Sequence, residues 1–307
     1  MVPKILVTGA GGFTGRHMCD FLAGCEQKYE VIGSDITGQS KPNCDTIYQI
    51  DNANTSQVEN MVREIRPDYI INLVGTFRSE DAESIYRSNV LSVTSILEAA
   101  RKYSPRAKII TSGSAAEYGR VDSSRMPITE ETPSLPVMLY GLSKQMATQA
   151  ALYYARVHSM CVMVVRPFQI IGNGVSDRTA PGAFAKQLKM LLAEGKKVIQ
   201  TGNLESSRDF IDVHDVVKAI WMLCEKPMPG EIFNLCSGSP VCIRDLLEMM
   251  IKESGAQLKV EIDPVRLRGK ADVSQIYGSY QKLHRHCGWC PTISLRESVK
   301  MMLDKDA

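Results

Sequence analysis

The sequence predicts an α/β fold, in which a doubly wound parallel sheet is followed by a smaller C-terminal α/β lobe. Three observations lead to this prediction. Short apolar runs alternate with amphipathic helical stretches through the first half of the chain, which is typical of a parallel sheet covered on both faces. Glycines at positions 9, 12 and 15 follow the first run directly. From residue 172 the pattern changes and becomes rich in glycine and proline.

The individual elements follow from apolar runs, helical spacing and turn residues. The strands are predicted over 4–7, 30–35, 46–50, 69–74, 108–111, 160–165 and 232–235, the last of these returning to the main sheet. A first helix is predicted directly after the glycines, and further helices over 56–66, 83–103, 184–192, 213–224 and 243–251. The helix over 213–224 is predicted to have one buried face. Two more helices are predicted to begin near Tyr140 and at Ser294. Ser56 with Glu59, and Ser294 with Glu297, resemble capping boxes. Two domains are predicted. The first contains the main sheet and consists of residues 1–171, to which residues 210–238 return. The second is the smaller lobe, formed mainly by residues 172–307.

The composition narrows the class of protein. The chain has 307 residues, 44% of them hydrophobic, and a net charge of +2. That charge implies no strong attraction to nucleic acid or to an anionic membrane, and no apolar run approaches the length of a membrane span. The nine cysteines suit buried, reduced thiols in a cytoplasmic protein. Cys287 and Cys290 resemble half of a zinc site, but no second pair has matching spacing, so no metal is predicted.

The segment KILVTGAGGFTG (4–15) has the order strand, glycine turn, helix. Gly9 permits a tight turn, Gly12 lets the backbone approach a pyrophosphate, and Gly15 lets the helix pack closely on the strand. The N-terminus of the helix then offers N–H groups and a partial positive charge to phosphates. We therefore expect this segment to bind a dinucleotide.

Two acidic residues lie at predicted strand ends. Asp35 ends the second strand at the distance from the glycines where a carboxylate accepts hydrogen bonds from the adenosine ribose and repels a 2′-phosphate. It therefore favours NAD(H) over NADP(H), although NADP(H) remains possible and the residue could be a solvated strand-end aspartate. Asp51 follows the third strand and suits a contact to the adenine edge.

Ser114, Tyr140 and Lys144 form the candidate catalytic set. Tyr140 and Lys144 are four residues apart and share one helix face. A lysine ammonium beside the phenol would lower the tyrosine pKa from about 10 towards neutrality, so that the phenol could exchange a proton with a carbonyl or alcohol. Ser114 follows the fifth strand and could bind the same oxygen. A solvated helix face is the alternative for the Tyr-x-x-x-Lys pair, and the glycine turn and serine strand argue against it.

These motifs resemble the extended short-chain dehydrogenase/reductases, the nucleotide-sugar epimerase, dehydratase and reductase group. The resemblance covers nearly the whole chain, and its second half is most similar to the GDP-4-dehydro-6-deoxy-D-mannose reductases. It implies a Rossmann-type fold and a homodimer. Its marks are TGAGGFTG (8–15), Asp35, Asn89 in SNVLSV, SAAEYG (114–119), YGLSK (140–144), RPF (166–168), GNLESSRDFIDVHDVVKA (202–219), EIFNLCSG (231–238) and RLR (266–268).

The resemblance also implies roles for individual residues. Tyr140 would be the acid/base, Lys144 would hold the nicotinamide ribose, and Ser114 would bind the C4 oxygen. Further cofactor contacts are expected from Phe13, Thr14 and Asn89, and the substrate diphosphate is expected to meet Gln169, Arg208 and Arg268, where guanidinium forks suit phosphate oxygens. For each arginine an ordinary surface ion pair is the alternative.

Three departures from the family pattern affect these expectations. Dehydratases of the group carry an acidic residue two positions after the serine or threonine; this chain has Ala116 there, which disfavours dehydration. Glu117 is one position further and would point elsewhere if the segment is extended. Gln169 replaces the usual asparagine and is longer by one methylene, which affects the contact to the substrate diphosphate. Gly269-Lys270 replaces the usual proline after RLR, which affects the pocket for the nucleotide base.

The expected function is NAD(P)H-dependent reduction of the 4-keto group of a nucleotide-linked 6-deoxyhexose, with GDP as the favoured nucleotide. An NAD-retaining nucleotide-sugar 4-epimerase would use the same three residues. The alternative that is not an enzyme is a regulatory or scaffold protein that binds the dinucleotide without turnover. The sequence leaves the base, the sugar and the stereochemistry at C4 open.

Overall fold

The computed structural model describes residues 2–37, 42–77, 81–266 and 273–304. In chain order its strands are β1 (Lys4–Thr8), β2 (Glu30–Asp35), β3 (Thr46–Gln49), β4 (Tyr69–Asn72), β5 (Lys108–Ser112), β6 (Val162–Pro167), β7 (Gln169–Ile171), β8 (Val198–Thr201), β9 (Ser207–Asp212), β10 (Ile232–Leu235), β11 (Pro240–Cys242), β12 (Lys259–Ile262) and β13 (Gln275–Ile276). Its helices are α1 (Phe13–Ala23), α2 (Thr55–Ile65), α3 (Ala82–Tyr86), α4 (Ser92–Tyr103), α5 (Leu139–His158), α6 (Ala180–Glu194), α7 (Val213–Glu225), α8 (Ile243–Ser254), α9 (Gln281–Cys287) and α10 (Leu295–Leu303).

Seven strands form one parallel sheet in the order β10-β6-β5-β4-β1-β2-β3. The chain starts in the interior of the sheet and winds outward in both directions, so the predicted doubly wound sheet is confirmed. The late strand, Ile232–Leu235, pairs with β6 as the sequence predicts. Two predicted strands are shifted: β4 ends at Asn72 rather than at residue 74, and β6 begins at Val162 rather than at residue 160.

Side chains of β1 point alternately into two hydrophobic cores, as a strand period of two requires. Ile5 and Val7 pack in the core that includes residues of α1 and α7. Leu6 packs in the core that includes residues of α2, α4 and α5. Because helices cover both faces of the sheet, every interior position of the strand is buried, and this explains its wholly apolar sequence.

The helix starts show one wrong and one correct capping prediction. Helix α2 is capped by Asn54, whose side chain accepts a hydrogen bond from the Gln57 amide at 3.2 Å. Asparagine is among the best N-cap residues, and the helix therefore begins before Ser56, which lies inside the first turn. The Ser294–Glu297 capping box of α10 is confirmed, with both reciprocal bonds present.

Two predicted helices differ in detail. The helix predicted over 83–103 consists of α3, a π-helical turn at Arg87–Leu91, and α4. Such turns often mark functional sites, and this one contains Asn89. Helix α7 is buried on more than the one predicted face, because it packs against α1 and the sheet while Trp289 donates its indole N–H to the Asp215 carbonyl at 3.2 Å.

The later part of the chain forms smaller sheets with their own core. Strands β7, β9, β11 and β13 make one sheet, and β8 pairs with β12. A separate hydrophobic core contains side chains of α6, α8 and α10. Among the described residues, no helix combines the length and apolar character that crossing a bilayer requires.

The carboxyl ends of the central strands meet at one edge of the main sheet. Gly9 follows β1, Asp35 ends β2, Gly75 lies shortly after β4, and Ser114 lies shortly after β5. Ligands of open α/β sheets bind at this edge.

Candidate active site

The glycine turn after β1 leaves no space for side chains. Gly9 has a φ of +71°, a conformation that favours glycine. A Cβ atom at Gly15 would lie 2.1 Å from the Gly9 carbonyl oxygen, and one at Gly12 would lie 3.1 Å from the same oxygen. Gly12 is also the N-cap of α1, and glycine has no side chain to cover the first amides of the helix. The turn is therefore a backbone cradle that fits a pyrophosphate.

Asp35 lies beside this cradle. Its Oδ2 accepts a hydrogen bond from the Gly11 amide at 2.9 Å, and its Oδ1 accepts one from the Thr37 amide at 3.2 Å. A carboxylate has about four lone-pair sites, so it can also accept from a hydroxyl. The acid is thus tied to the cradle in a position that suits contact with a ribose.

The other cofactor residues predicted from sequence take different places. Phe13 and Thr14 form the first turn of α1, and the Phe13 ring meets His17 edge-on at 5.2 Å. Asp51 forms an ion pair with Arg87 at 2.5 Å and accepts from the Ala53 amide. Burial raises the pKa of Asp51, but the hydrogen bonds from Arg87 and Ala53 and the charge of Arg87 outweigh it, so the pKa lies below its usual value.

Asn89 holds the loop after β4 against α5. Its Oδ1 accepts from the Thr76 amide at 2.8 Å, and its Nδ2 donates to the Thr76 carbonyl at 2.8 Å and to Ser143 Oγ at 2.9 Å. A Cβ atom at Gly75 would lie 2.9 Å from Asn89 Oδ1 and 2.8 Å from Lys144 Nζ. The buried amide therefore shapes the site next to the lysine.

Ser114 and Tyr140 are brought together as predicted. The Tyr140 phenol lies within reach of the Ser114 side chain, whose Oγ accepts from the Ala116 amide at 3.1 Å. The Tyr140 ring lies edge-on to Phe77, with ring centroids 6.5 Å apart. Burial raises the pKa of Tyr140, and this outweighs the lowering caused by the Ser114 side chain. The phenol is thus held in its protonated form at neutral pH.

Lys144 shares the helix with Tyr140 but is aimed at a different group. It is 4% exposed, and its Nζ donates to the Ser112 carbonyl at 2.9 Å. Burial lowers its pKa from 10.5 to about 8, although the charge of Glu117 acts in the opposite direction. The expectation that Lys144 lowers the pKa of Tyr140 is wrong for this structure, because desolvation of the phenol dominates.

Glu117 is a residue of the site that sequence reasoning assigned no role. The segment is not extended, so the condition set for the direction of Glu117 does not apply: Ala115–Tyr118 is a 3₁₀ turn, capped by Ser114 and Glu117 in a capping box. The carboxylate is fully buried and forms an ion pair with Arg166 at 2.8 Å. The spacing Ser-x-x-Glu was the available signal, since it is the same pattern that opens α10.

The predicted substrate residues lie on the later strands. Gln169 begins β7, and Arg208 lies on β9 with its Nη1 donating to the carbonyls of Ser207 (2.8 Å) and Val273 (2.7 Å). Arg268 and Gly269-Lys270 lie outside the described residues. Among the described residues, no group of three or more His, Cys, Asp or Glu side chains is placed to hold a metal ion.

Comparison with known proteins supports what the geometry indicates. Residues 5–236 match the NAD dependent epimerase/dehydratase family. The chain belongs to this family. It is 29% identical to the GDP-6-deoxy-D-mannose reductase of Pseudomonas aeruginosa, over 99% of this chain and 97% of that one. It is also 25% identical to UDP-arabinose 4-epimerase 1 of Arabidopsis thaliana, over 97% of this chain and 78% of the relative.

A solved structure, that of RMD from Pseudomonas aeruginosa complexed with NADPH, has the same fold. Its TM-score is 0.86 at 26% identity, and the match covers 98% of both chains. The Rossmann-type fold expected from the sequence is therefore confirmed. In this fold the closely packed glycines fill the turn with backbone, at the edge of the sheet where ligands of open α/β sheets bind.

Proposed function

We propose that this protein is an NAD(P)H-dependent reductase of the 4-keto group of a nucleotide-linked 6-deoxyhexose, most specifically a GDP-linked one. The observation that carries the proposal is that the Tyr140 phenol and the Ser114 side chain meet at the edge of the sheet that carries the glycine cradle. Reduction of a ketone needs a proton donor at the oxygen, and a phenol with a raised pKa is in the donating form at neutral pH.

Each residue then has a chemical role. Tyr140 donates its proton to the C4 oxygen as negative charge develops there, and Ser114 holds that oxygen by a hydrogen bond. Lys144, which is positively charged below about pH 8, binds the ribose next to the nicotinamide. Gly9, Gly12, Phe13, Thr14 and Gly15 bind the pyrophosphate, while Asp35, Asp51 and Asn89 complete the cofactor site. When bound, the nicotinamide supplies the hydride.

The later part of the chain would bind the rest of the substrate. We assign the substrate-binding lobe to residues 172–307 and the dinucleotide-binding domain to 1–171 with 210–238. Gln169, Arg208 and Arg268 would meet the diphosphate, where guanidinium groups match phosphate oxygens. Binding energy from this remote part of the substrate would orient the sugar at Tyr140.

Asp35 supports NADH as the preferred reductant. Its carboxylate is fixed beside the cradle through the Gly11 amide, where it would accept a bond from the adenosine ribose. A 2′-phosphate at the same place would meet a like charge, which disfavours its binding.

An apolar stripe on α5 supports a homodimer. Leu142, Met146, Tyr153 and Val157 recur at helical spacing and are 39%, 44%, 46% and 51% exposed. Such a stripe is typical of a helix that packs on another helix. Helix α4 packs beside α5, so the pair would form the interface with a second copy of the chain. The nine cysteines are free thiols, which suits the reducing cytoplasm.

A nucleotide-sugar 4-epimerase is the second candidate function. Ala115 and Ala116 are small residues next to Ser114, which would leave room for a sugar to rotate between two half-reactions. The likeness to a UDP-arabinose 4-epimerase also favours it. Dehydration is disfavoured because Ala116 offers no acid or base, and Glu117 is held in a buried ion pair.

The test is turnover with purified protein. We expect NADH to be consumed in proportion to an added GDP-4-keto-6-deoxyhexose, and no consumption with the corresponding 4-hydroxy sugar. Conversion of a 4-hydroxy nucleotide-sugar to its epimer without net consumption would favour the epimerase. Tight dinucleotide binding without turnover of any nucleotide-sugar would contradict both enzymes.

A further inference from the structure

The buried carboxylate of Glu117 lies next to the Ser114 backbone, and each of its two oxygens contacts two donor atoms. Its Oε1 accepts from the Ser114 amide at 2.8 Å and from the Thr148 hydroxyl at 3.0 Å. Its Oε2 accepts from Arg166 Nε at 2.9 Å and pairs with Nη2 of the same residue at 2.8 Å. Four donors therefore fix one carboxylate in an environment without solvent, where hydrogen bonds to charged groups are strong.

The surroundings show that this arrangement has little freedom to shift. Arg166 is 2% exposed, and its guanidinium lies 4.7 Å from the centre of the Tyr118 ring. Tyr118 donates its hydroxyl hydrogen to Asn234 Oδ1 at 2.7 Å. A Cβ atom at Gly113 would lie 2.3 Å from Glu117 Oε1. The residue before Ser114 must thus be glycine for the carboxylate to reach the serine amide.

We propose that Glu117 is the positioning residue for Ser114, and that its carboxylate sets where the serine hydroxyl stands relative to Tyr140. This inference rests on the function proposed above. Ser114 is held at two points, at its amide by Glu117 and at its Oγ by the Ala116 amide. Its Oγ in turn lies within reach of the Tyr140 phenol. Glu117 touches neither substrate nor cofactor and acts through the serine.

The same carboxylate has a second effect that can be measured. It is the negative charge that opposes the desolvation of Lys144 and so keeps the pKa of that lysine from falling further. Removing the charge should lower the lysine pKa below its present value. A carboxylate that only stabilised the fold would have no such effect on the pH profile.

The test compares wild type with Glu117→Gln, Ser114→Ala and the double variant. Glu253→Gln is the matched control, because Glu253 is a largely buried glutamate that accepts from an arginine Nε (Arg296, 2.6 Å) in the later lobe. Rates are compared at a pH well below 8, where Lys144 stays protonated. There we expect Glu117→Gln to lower kcat by about ten- to a hundredfold through misplacement of the serine, with the KM for the nicotinamide cofactor unchanged. In the pH profile of kcat, the loss of activity on the alkaline side should begin at a lower pH in Glu117→Gln than in wild type. The double variant should be no slower than Ser114→Ala, and Glu253→Gln should behave as wild type.

Losses that multiply in the double variant would overturn the proposal, since independent effects are additive in free energy. A Glu117→Gln protein with wild-type kcat and pH profile would overturn it as well. If this variant does not fold because Arg166 is left unpaired, Glu117→Leu with Arg166→Met removes both charges and should show the same kcat loss.

A failure of the proposed function is recognised separately, because the wild-type protein would then show no turnover. In that case amide hydrogen exchange decides the inference. Exchange at Ser114 should be faster in Glu117→Gln than in wild type, whereas exchange at Ile110 within β5 should not change. Equal exchange at Ser114 in both proteins would contradict a positioning role.

Discussion

The two halves of the candidate active site are built in opposite ways. The cofactor cradle is made of backbone: Gly9, Gly12 and Gly15 serve by having no side chain, and one of them stands at positive φ. The catalytic half is made of buried polar side chains, in which the Glu117 carboxylate joins Ser114 to Arg166. The cradle depends on close approach and the catalytic half on desolvated charge. Substitutions in the two halves should therefore fail differently, the first in cofactor binding and the second in chemistry.

The largest effect is expected in the catalytic half. Tyr140→Phe removes the proton donor and should lower kcat by about a thousandfold, while the affinity for the reduced cofactor stays at the wild-type value. Stopped-flow turnover and fluorescence titration of the cofactor measure the two quantities. Tyr103→Phe is the control, because Tyr103 is a partly buried tyrosine outside the site whose hydroxyl donates to Glu59. A Tyr140→Phe enzyme with wild-type kcat would remove Tyr140 from the mechanism.

In the cradle, Gly15→Ala should act on binding and stability. The added Cβ would overlap the Gly9 carbonyl oxygen, so α1 must move away at a cost of about 2–3 kcal/mol. Gly24→Ala is the matched control at the other end of the same helix, since a Cβ there meets its neighbours at 3.6 Å and Gly24 has a φ of −84°. Thermal unfolding and cofactor titration measure both. Equal losses in the two variants would mean that the close approach at Gly15 has no special role.

Lys144→Met should separate stability from activity. The lowering of the lysine pKa from 10.5 to about 8 corresponds to about 3 kcal/mol of destabilisation of the wild-type fold at neutral pH. The variant is relieved of this cost but loses the hydrogen bond to the Ser112 carbonyl, which is worth about 1 kcal/mol. We expect the inactive variant to be more stable than wild type by about 2 kcal/mol.

The stability gained in Lys144→Met should depend on pH. Because the folded-state pKa is depressed, the penalty is complete below about pH 8 and disappears as the pH rises towards 10.5. The gain in stability of Lys144→Met should therefore be largest at neutral pH and shrink in alkaline solution, as denaturant unfolding at several pH values would measure. A difference that grows with pH would contradict the burial of a charged lysine.

The smallest effect is expected at Asp35. Asp35→Asn keeps hydrogen-bonding capacity but removes the charge, which should improve the ratio of NADPH to NADH use by about fivefold, or about 1 kcal/mol. Asp45→Asn is the control, since Asp45 accepts from the Val31 amide on the same strand pair. The ratio of kcat/KM values for the two cofactors measures the effect. An unchanged ratio would show that Asp35 does not set cofactor choice.

The same difference between the halves explains what the sequence could predict. Most of the cradle follows from local spacing, because the Gly9 carbonyl oxygen excludes a Cβ at both Gly12 and Gly15. Gly9 is predicted by the tight turn, although a Cβ there would also meet the distant backbone of Leu73 and Val74 at 3.1 Å. Tyr140 and Lys144 share one helix face, which helical periodicity also predicts. The parallel, helix-covered character of the main sheet follows from alternating strands and helices.

The catalytic half depends on partners that are far apart in the chain. Glu117 and Arg166 are 49 residues apart, and Asn89 reaches Ser143 across 54 residues. Local periodicity contains no information about such contacts. The expected lowering of the Tyr140 pKa failed for the same reason, since the spacing of Lys144 predicts a shared face but not the burial that dominates both groups.

The proposed reaction is transfer of hydride to C4 of a nucleotide-linked 4-keto sugar while Tyr140 supplies the proton. It is tested most directly with reduced nicotinamide cofactor deuterated at the transferring carbon. We expect deuterium at C4 of the sugar product, with one reduced cofactor consumed for each product formed and no transfer by Tyr140→Phe. A product without deuterium, or an epimer formed without consumption of cofactor, would contradict it.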